Sequence, residues 1–309
     1  MTAPDINRGT TNVVLPAELS SEIWQQIQDR SVVMNLARKV TLPGAGMTYQ
    51  EILTDSVPQF VGETARKPIS NPTFSKKTLK PHKIAVVQTY SDEFRRDLPA
   101  LFNALLGRLP GTLARTFDMA ALHGIGAPLA DFDTLENATT VSLQNTTPGS
   151  VDAYAGFLSA LGTVPTLDAW ALSAQGEILA LSNRDTAGAP ILNPDPLTVG
   201  SVGRVLGRPV FQSENAYLAG AAPTTSGGTD GVAATVGFAG DWTQARWGQV
   251  EAVSIDISDN PVYAADGTLV TAGWQDNMIA VRAEIHVGFI ADDSQFVRLT
   301  GATPAYVAG

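Results

Sequence analysis

The chain has 309 residues, of which 44% are hydrophobic and only 16% are charged, and it contains no cysteine. Disulfides and thiolate metal sites are therefore excluded, and so low a charge content is most easily explained if much of the surface meets other subunits. The length allows one large domain or two modest ones with ample core.

Charge is divided unevenly along the chain. The net charge is −10, yet residues 1–117 carry 14 Lys or Arg against 10 Asp or Glu, while residues 118–309 carry 6 against 20. In a monomer, chance plus one basic loop explains this division. In an assembly, the basic front half would dock on the acidic back half of a neighbouring copy. A chain with a net negative charge is a poor candidate for binding DNA phosphates.

The N-terminal region carries no targeting signal. Residues 1–12 are polar, whereas a signal peptide needs an apolar run, and no stretch of the chain approaches the roughly 18 apolar residues of a membrane span. We therefore expect a protein made and used in a cytoplasm, or in something assembled there. Residues 1–17 predict an extended arm, residues 22–27 predict a short helix capped by Ser20, and residues 37–40 predict a strand.

Residues 41–89 predict strands and no helix. The strands are expected at residues 48–53 and 83–89, and between them residues 62–80 carry five basic side chains against Glu63 alone. A loop this long is unusual inside a compact domain, so the segment is expected to project as a hairpin. Nucleic-acid binding is the competing interpretation, and it is disfavoured because aromatic side chains for base stacking are sparse there.

The longest helical signal runs from Tyr90 to Gly126. Its apolar residues recur at helical spacing over about seven turns, at Leu101, Leu105, Leu109, Leu113, Phe117 and Ala121. The stripe is expected to pack on a sheet of the same subunit.

Four residues indicate where this helix begins, where it ends and where it is interrupted. Asp97 is placed to cap its start, Pro99 suits its first turn, and Gly124 suits its end. Pro110 lies inside the pattern and predicts a kink or break near residues 107–111.

The remainder of the chain predicts mostly strands. They are expected at residues 139–143, 168–173, 210–211, 235–240, 250–258, 278–289 and 296–299, with two short pieces inside 187–207, helices at 152–161 and 174–181, and loops at 219–231 and 259–276. The strand from Met278 to Phe289 has the cleanest alternation. Its apolar face is continuous, while Arg282, Glu284 and His286 share the other face.

The motifs of common enzyme classes are missing from the sequence. There is no nucleophile elbow, no phosphate-binding loop and no zinc-protease motif, and the three histidines lack metal-ligand spacing. We therefore expect no cofactor and no metal. The nearest constellation is Arg282, Glu284 and His286, which is interpreted as the solvated or interface-paired face of a sheet. A soluble hydrolase that uses this face is the alternative.

Several passages, taken in order, resemble the major capsid proteins of tailed bacteriophages, which have the Hong Kong 97-type fold. The resemblance covers about residues 14–297. It rests on Leu15-Pro16, Gly62-Glu63…Lys67-Pro68…Phe74-Ser75-Lys76, Lys83-Ile84-Ala85, Ser91-Asp92-Glu93, Asp118…Leu122-His123-Gly124, Leu206-Gly207-Arg208-Pro209-Val210, Gly240-Asp241-Trp242 and Asn277-Met278-Ile279…Arg282…Glu284. Encapsulin-type bacterial shells share the fold, but they tend to start with a helix rather than an extended arm.

The resemblance implies an α+β fold with four parts. These are an N-terminal arm (1–32), an extended loop hairpin with flanking strands (33–83), a peripheral domain with a spine helix over about residues 91–124 (84–150 and 248–287), and an axial domain (151–247 and 288–309). It implies a structural subunit that assembles into the icosahedral head enclosing the phage DNA, without sequence-specific DNA binding and without a membrane.

Some family members form an isopeptide bond between a loop lysine and an asparagine of a neighbour, promoted by a glutamate. The resemblance places these roles on Lys67, Asn277 and Glu284. The amine must be unprotonated to attack the amide, and a desolvated carboxylate would accept its proton. Because Asn277 and Glu284 have opposite strand parity, Asn277 is expected in the turn before the strand. The alternative is that Lys67 and Glu284 only form ion pairs, in a shell that never crosslinks.

The resemblance also implies contacts with other molecules. The candidate residues for contacts between subunits are Glu63, Arg66, Lys67, Lys76, Lys77, Arg282 and Glu284. The expected partners are copies of the chain in hexamers and pentamers, a separate scaffolding protein, a portal and a decoration protein. The expected location is the virion, assembled in the bacterial host cytoplasm.

Overall fold

A computed structural model of the chain describes residues 31–54, 56–63, 66–128, 130–143, 153–182, 192–193, 203–225, 228, 230–250 and 254–303. The predicted N-terminal arm and the helix after Ser20 lie outside these ranges. None of the helices in the described part of the chain is both long and apolar enough to cross a membrane.

The described elements combine five α-helices with sixteen strands, which confirms the predicted α+β class. The helices are α1 (Val32–Leu36), α2 (Asp92–Asp97), α3 (Pro99–His123), α4 (Ala153–Thr163) and α5 (Ala174–Ser182). The strands are β1 (Arg38–Thr41), β2 (Met47–Thr54), β3 (Thr73–Leu79), β4 (His82–Ser91), β5 (Thr139–Ser142), β6 (Ala169–Leu172), β7 (Leu192–Asn193), β8 (Gly203–Val205), β9 (Arg208–Gln212), β10 (Thr235–Gly240), β11 (Arg246–Gln249), β12 (Ser254–Ser258), β13 (Val262–Tyr263), β14 (Leu269–Thr271), β15 (Met278–Ile290) and β16 (Phe296–Thr300).

Two sheets organise the described residues. The first contains β1, β11, β15 and β12 in that order, with β4 also paired to β15. β4 runs antiparallel to β15 in an unbroken register from Ser91 opposite Met278 to His82 opposite Val287. The second sheet has the order β5-β16-β10-β6-β9-β8-β7. Its central strand β10 is buried at every position, because apolar clusters cover both of its faces.

The predicted hairpin is formed by β2 and β3, which pair antiparallel from Met47 opposite Leu79 to Thr54 opposite Thr73. We call the described residues 56–63 and 66–72 the hairpin tip. No helix occurs between residues 41 and 89 in the described ranges, as the sequence predicted.

The long helix α3 packs on the first sheet, as its apolar stripe predicted. Phe117 is fully buried, and its ring meets Phe289 of β15 edge to face, with the ring centroids 6.1 Å apart. Phe132 packs against both rings at about the same distance. Burial of this stripe supplies the main apolar core, because it removes one face of the helix and one face of β15 from water together.

The start and the middle of α3 differ from prediction. Asp97 does not cap it: Asp97 ends α2, whose own start is capped by the Ser91 hydroxyl accepting from the backbone N–H of Phe94 at 3.2 Å. Leu98 precedes α3 without a side-chain cap, and Pro99 then starts the helix as predicted, since its fixed φ suits a first turn. The helix continues unbroken through Pro110, so the predicted break is wrong, while a kink at this position stays a prediction.

Gly124 ends α3 as predicted. Its φ of 69° lies in the left-handed region, and its backbone N–H donates to the carbonyl of Ala120 at 3.0 Å. A Cβ at this position would lie 2.2 Å from a carboxylate oxygen of Glu136. The left-handed conformation therefore favours glycine, whereas the Glu136 side chain could move away from an added Cβ.

β11 lies just before the strand predicted at residues 250–258 and was not predicted, and two further described elements were also missed. Residues 32–36 form α1 because the Ser31 hydroxyl accepts from the backbone N–H of Met34 and caps this single turn. Residues 259–276, predicted as loop, contain the small antiparallel hairpin of β13 and β14. Both elements are too short for apolar periodicity to reveal them.

The aromatic contact between α3 and β15 generates a stability prediction. Replacing Phe117 with Ala should lower the free energy of unfolding of the unassembled subunit by about 3–5 kcal/mol, because the cavity left among Phe289 and Phe132 cannot be filled. Urea denaturation measures the change. The matched control is Thr116→Ala on the exposed face of the same helix, which should stay within about 0.5 kcal/mol. A loss for Phe117→Ala as small as that of the control would contradict this account of the core.

Candidate functional site

The exposed face of β15 carries a connected network of ion pairs. Glu284 is 16% exposed, and its carboxylate lies 3.4 Å from Lys83 Nζ, 3.7 Å from Arg282 Nε and 3.8 Å from His286 Nε2. Arg282 also donates to the Asp256 carboxylate at 2.8 Å. The network forms because antiparallel pairing places Lys83 opposite His286 and Asp256 opposite Arg282.

This network stabilises a sheet face and has no metal-binding arrangement. Lys83 and Arg282 hold the Glu284 carboxylate between them by Coulomb attraction. Among the described residues, no group of His, Asp and Glu side chains could hold a metal ion. The predicted interpretation of Arg282, Glu284 and His286 as a paired sheet face therefore agrees with the geometry.

The three crosslink candidates are not brought together in one subunit. Asn277 lies in the turn before β15, as predicted, with a φ of 53° and an exposed side chain. Its backbone carbonyl accepts from the N–H of Asp92 at 2.8 Å. Glu284 lies seven residues further along the extended strand, so the two are separated by about 20 Å. Lys67 is exposed in the hairpin tip.

The base of the hairpin is tied to its own chain by cations. Lys77 donates to the carbonyl of Ala291 at 2.7 Å and lies 3.4 Å from the Asp133 carboxylate. Lys80 pairs with Asp131 at 2.7 Å. These contacts occupy Lys77 and Lys80 within the subunit and fix where the hairpin leaves the body.

A stacked arginine adds a further contact at the hairpin base. The guanidinium of Arg246 on β11 lies over the ring of Tyr49 on β2, 4.7 Å from its centroid. Such a contact attracts the cation to the negative face of the ring. It joins β2 to the first sheet on the same side as the Lys77 pair.

The hairpin tip contrasts with this anchored base. The charged side chains of Glu63, Arg66 and Lys67, and of Lys76 in β3, are all exposed. The two sides of the tip are joined by a hydrogen bond in which the backbone N–H of Val57 donates to the Ser70 hydroxyl at 2.9 Å. The predicted contact residues thus fall into two groups, one exposed at the tip and one already paired inside the chain.

A buried carboxylate to which the sequence analysis gave no structural role links three parts of the chain. Asp118 on α3 is fully buried and accepts hydrogen bonds from the Ser31 hydroxyl, from the backbone N–H groups of Val32 (3.0 Å) and Val33 (3.4 Å), and from the side-chain amide of Asn215 (2.9 Å). It thereby joins α1, the long helix and a 3-10 turn that follows β9. An acidic residue among the buried positions of a helix was the available signal.

Burial controls the protonation of the groups around this link. It raises the pKa of Asp118 to about 6, because desolvation outweighs the four hydrogen bonds that favour the charged form. One turn further along α3, burial lowers the pKa of His123, whose Nε2 lies 2.9 Å from the backbone carbonyl of Asn215. The neutral imidazole thus donates to that carbonyl and holds the 3-10 turn from a second point.

Comparisons with known proteins identify the family. Residues 11–301 match the phage capsid family. The chain is 30% identical over 304 residues to the "Probable major capsid protein gp17" of Mycobacterium phage D29, covering 93% of this chain and 89% of that one, and 27% identical to the protein of the same name in Mycobacterium phage L5 with the same coverage. These matches confirm the resemblance stated from the sequence motifs.

Solved structures agree with the fold. A chain from Mycobacterium phage Ogopogo superimposes with a TM-score of 0.72 at 20% identity, covering 93% of this chain and 97% of that one. A chain of the "Capsid of empty GTA particle computed with C5 symmetry" superimposes with a TM-score of 0.60 at 15% identity, covering 96% of each chain. At these identities the likeness concerns the fold alone.

The buried carboxylate generates a pH prediction. The pKa of Asp118 is about 6 in the folded chain against an ordinary value of 3.8, so the folded form binds the proton more tightly than the unfolded form. The resulting stabilisation is complete below pH 3.8 and is lost as the pH rises through 6, for a total of about 3 kcal/mol. The stability advantage of the native chain over Asp118→Asn should therefore grow by about this amount as the pH falls from about 7 to about 4.

Urea denaturation of both proteins at each pH measures the difference, and all other titrating groups cancel between them. Carbon-13 NMR titration of the Asp118 carboxyl provides an independent reading of the same pKa. A stability difference that does not change with pH would contradict the assignment.

Proposed function

The chain belongs to the phage capsid family and is a major capsid protein, a structural subunit of the head shell of a tailed phage rather than an enzyme, and we propose that its copies join as pentamers and hexamers around enclosed DNA. The observation that carries the function is the family match across residues 11–301, together with two related phage proteins named as major capsid proteins. Those names favour a phage head over an encapsulin shell. A hydrolase is disfavoured because the charged face of β15 is a network of ion pairs.

We propose that the chain is divided into the four parts expected for this family. Residues 84–150 and 248–287 would form the peripheral domain with α3 as its spine, and residues 151–247 and 288–309 the axial domain. Residues 33–83 would form the extended loop, and residues 1–32 the arm. The second apolar cluster, around α4 and β6, lies mostly within the axial ranges and supports this division. The first cluster, on α3 and β15, also takes in Ala169, Ala171, Phe238 and Phe296, so the two proposed domains pack against each other.

We further propose the partners that a phage shell needs. These are a separate scaffolding protein, a portal, a decoration protein and the DNA held without sequence-specific contacts, with assembly in the cytoplasm of the bacterial host. Family membership supports each of them. The net charge of −10 agrees with weak, non-specific contact with DNA phosphates.

Contacts between subunits are proposed to run first through the hairpin tip. Glu63, Arg66 and Lys67 of the tip, and Lys76 of the adjoining strand β3, are exposed and offer their charges to a neighbour. Lys77, Arg282 and Glu284 already hold partners in their own chain, so a neighbour would have to share or replace those partners. The two sets are proposed to differ accordingly, with the tip residues serving assembly and the others serving the subunit itself.

A covalent bond between Lys67 of one copy and Asn277 of another would need a base that does not come from the copy that carries Asn277. Asn277 lies about 20 Å along the strand from Glu284, so the glutamate would have to come from another copy. Lys83 and Arg282 also occupy this carboxylate already, which disfavours it as a proton acceptor for a further amine. We therefore propose a shell held by non-covalent contacts.

The charge of the hairpin tip generates an assembly prediction. The double variant Arg66→Gln/Lys67→Gln should reduce the yield of particles seen by negative-stain microscopy at least several-fold at low salt, because it removes the charges that attract a neighbour. Its unfolding midpoint should stay unchanged, since both side chains are exposed. Lys77→Gln is the contrasting control and should lower the unfolding midpoint. Equal particle yields from the double variant and the native chain would contradict the role of the tip, while a native chain that never assembles would contradict the shell itself.

The absence of a crosslink is tested on assembled particles. After boiling in detergent, the native particles should run as a single band near 32.5 kDa in denaturing electrophoresis. A ladder of higher bands that disappears in Lys67→Arg would contradict this prediction and would establish the isopeptide bond. Arginine keeps the charge at this position but lacks the nucleophilic amine.

A further inference from the structure

A small pocket lies where the hairpin meets the rest of the subunit. Its volume is about 120 Å³, and its walls come from both hairpin strands, from the segment around β11 and from residues 290–292. This volume is well below the roughly 300–1,000 Å³ of pockets that enclose a drug-sized ligand, so the pocket suits one small chemical group. The polar side chains in its walls are Tyr49, Gln50, Lys77, Gln244, Arg246 and Asp292.

Arg246 brings a cation to this pocket without a carboxylate to balance it. Its guanidinium lies over the ring of Tyr49, 4.7 Å from the centroid, and no carboxylate of the described residues forms an ion pair with it. The stacking attracts the cation to the face of the ring. It leaves the N–H donors in the plane of the guanidinium unbonded, because a ring face accepts none of them there.

Lys77 adds a second cation to the walls. Its Nζ donates to the carbonyl of Ala291 at 2.7 Å and lies 3.4 Å from the Asp133 carboxylate. An ammonium group has three hydrogens to donate, so these two contacts leave one for a ligand. The side-chain amides of Gln50 and Gln244 are exposed and can donate as well.

The Tyr49 hydroxyl shows that acceptors are scarce at this junction. Its oxygen is buried and has no hydrogen-bond partner among the described residues. A buried polar group without a partner is costly and uncommon in folded proteins. The walls of the pocket therefore contain more donors than the chain itself supplies with acceptors.

Asp292 is the one acidic side chain in the walls, and its carboxylate is already bonded elsewhere. Its Oδ1 accepts from the backbone N–H of Ser294 at 3.2 Å and from the Ser294 hydroxyl at 2.8 Å. These bonds start the 3-10 turn that follows β15. Two cations against one such carboxylate leave the walls with an excess positive charge, which attracts an anion.

We propose that this pocket binds a single anionic oxygen group, a carboxylate or a phosphate. Arg246 would hold two of its oxygens, because the planar fork of a guanidinium matches both groups, and Lys77 would contribute the second charge. The group belongs to a free small anion or to an acidic side chain of a second copy. Since the walls come from the hairpin and from the first sheet, the bound group joins the two and fixes the hairpin on the subunit.

The site goes beyond the proposed function, because a free anion can fill it in an unassembled subunit. Two-dimensional NMR of that subunit tests it through the Nε–Hε signal of Arg246, which is identified by its loss in Arg246→Gln. The signal should shift to saturation as inorganic phosphate, or acetate, replaces chloride at constant ionic strength. The Nε–Hε signal of Arg115, exposed on α3, is the matched control and should not saturate.

Urea denaturation supplies a second measurement that does not depend on one signal. A ligand that binds only the folded chain raises its unfolding midpoint. Phosphate should therefore raise the midpoints of the native chain and of Arg115→Gln by more than that of Arg246→Gln. Arg246→Lys keeps the charge but lacks the fork, so its gain should lie between them. The general stabilisation by phosphate is common to all four proteins and cancels in the comparison.

Particle yields in negative-stain microscopy distinguish the two sources of the anionic group. If an acidic side chain of a second copy fills the pocket, Arg246→Gln should give several-fold fewer particles than Arg115→Gln, and phosphate should lower the native yield by competition. If a free anion fills it, phosphate should not lower the native yield. Either result, together with the saturating Arg246 signal, supports the site.

The proposal is overturned if the Arg246 signal drifts in phosphate and in acetate as the Arg115 signal does, and if phosphate raises all four midpoints equally. The pocket would then hold water alone, whatever the particle yields. A native chain that binds phosphate at Arg246 but never assembles would contradict the proposed function and leave the anion site standing.

Discussion

The structure depends first on the burial of one face of β15 against the long helix. The ring of Phe289 meets Phe117 edge to face, and every second residue of the strand is buried with it. Because strand side chains alternate between faces, this burial fixes Arg282, Glu284 and His286 on the opposite side. A one-residue slip of β15 would bury the charges and expose the apolar row. The positions of the ion-paired side chains therefore follow from packing within the subunit and need no contact with a neighbour.

The parts of the fold that could be predicted from sequence are those with long periodicity. The alternation of β15 and the stripe of α3 each extend over many residues, so local exceptions do not mask them. Pro110 shows the limit of such reasoning. Proline removes one helical hydrogen bond and strains a carbonyl, yet the packing of Leu109 and Leu113 on either side keeps the helix continuous. Tertiary burial outweighs a local preference that the sequence displays plainly.

The candidate site was predictable in composition but not in pairing. The sequence shows that Lys67 and Lys77 lie in a basic segment, and the structure shows Lys77 bound to Asp133 while Lys67 is exposed. Nothing in the segment itself distinguishes them, because the difference arises from residues more than fifty positions away. The distance between Asn277 and Glu284, by contrast, follows from strand extension and could be predicted from the sequence. Contacts between copies leave a trace in sequence only as residue types.

Asp118 explains how such surfaces can be held in a fixed relation. Apolar packing tolerates small sliding movements, whereas a buried carboxylate with four donors tolerates few, since each lost hydrogen bond leaves a charge uncompensated. Its donors are the Ser31 hydroxyl and the backbone N–H groups of Val32 and Val33, all at the start of the described chain, and the side-chain amide of Asn215 beyond β9. The desolvation that raises its pKa is the cost of this arrangement. A subunit that must present the same hairpin tip to every neighbour needs a fixed shape more than it needs a further gain in stability, and the buried carboxylate joins three elements at one point.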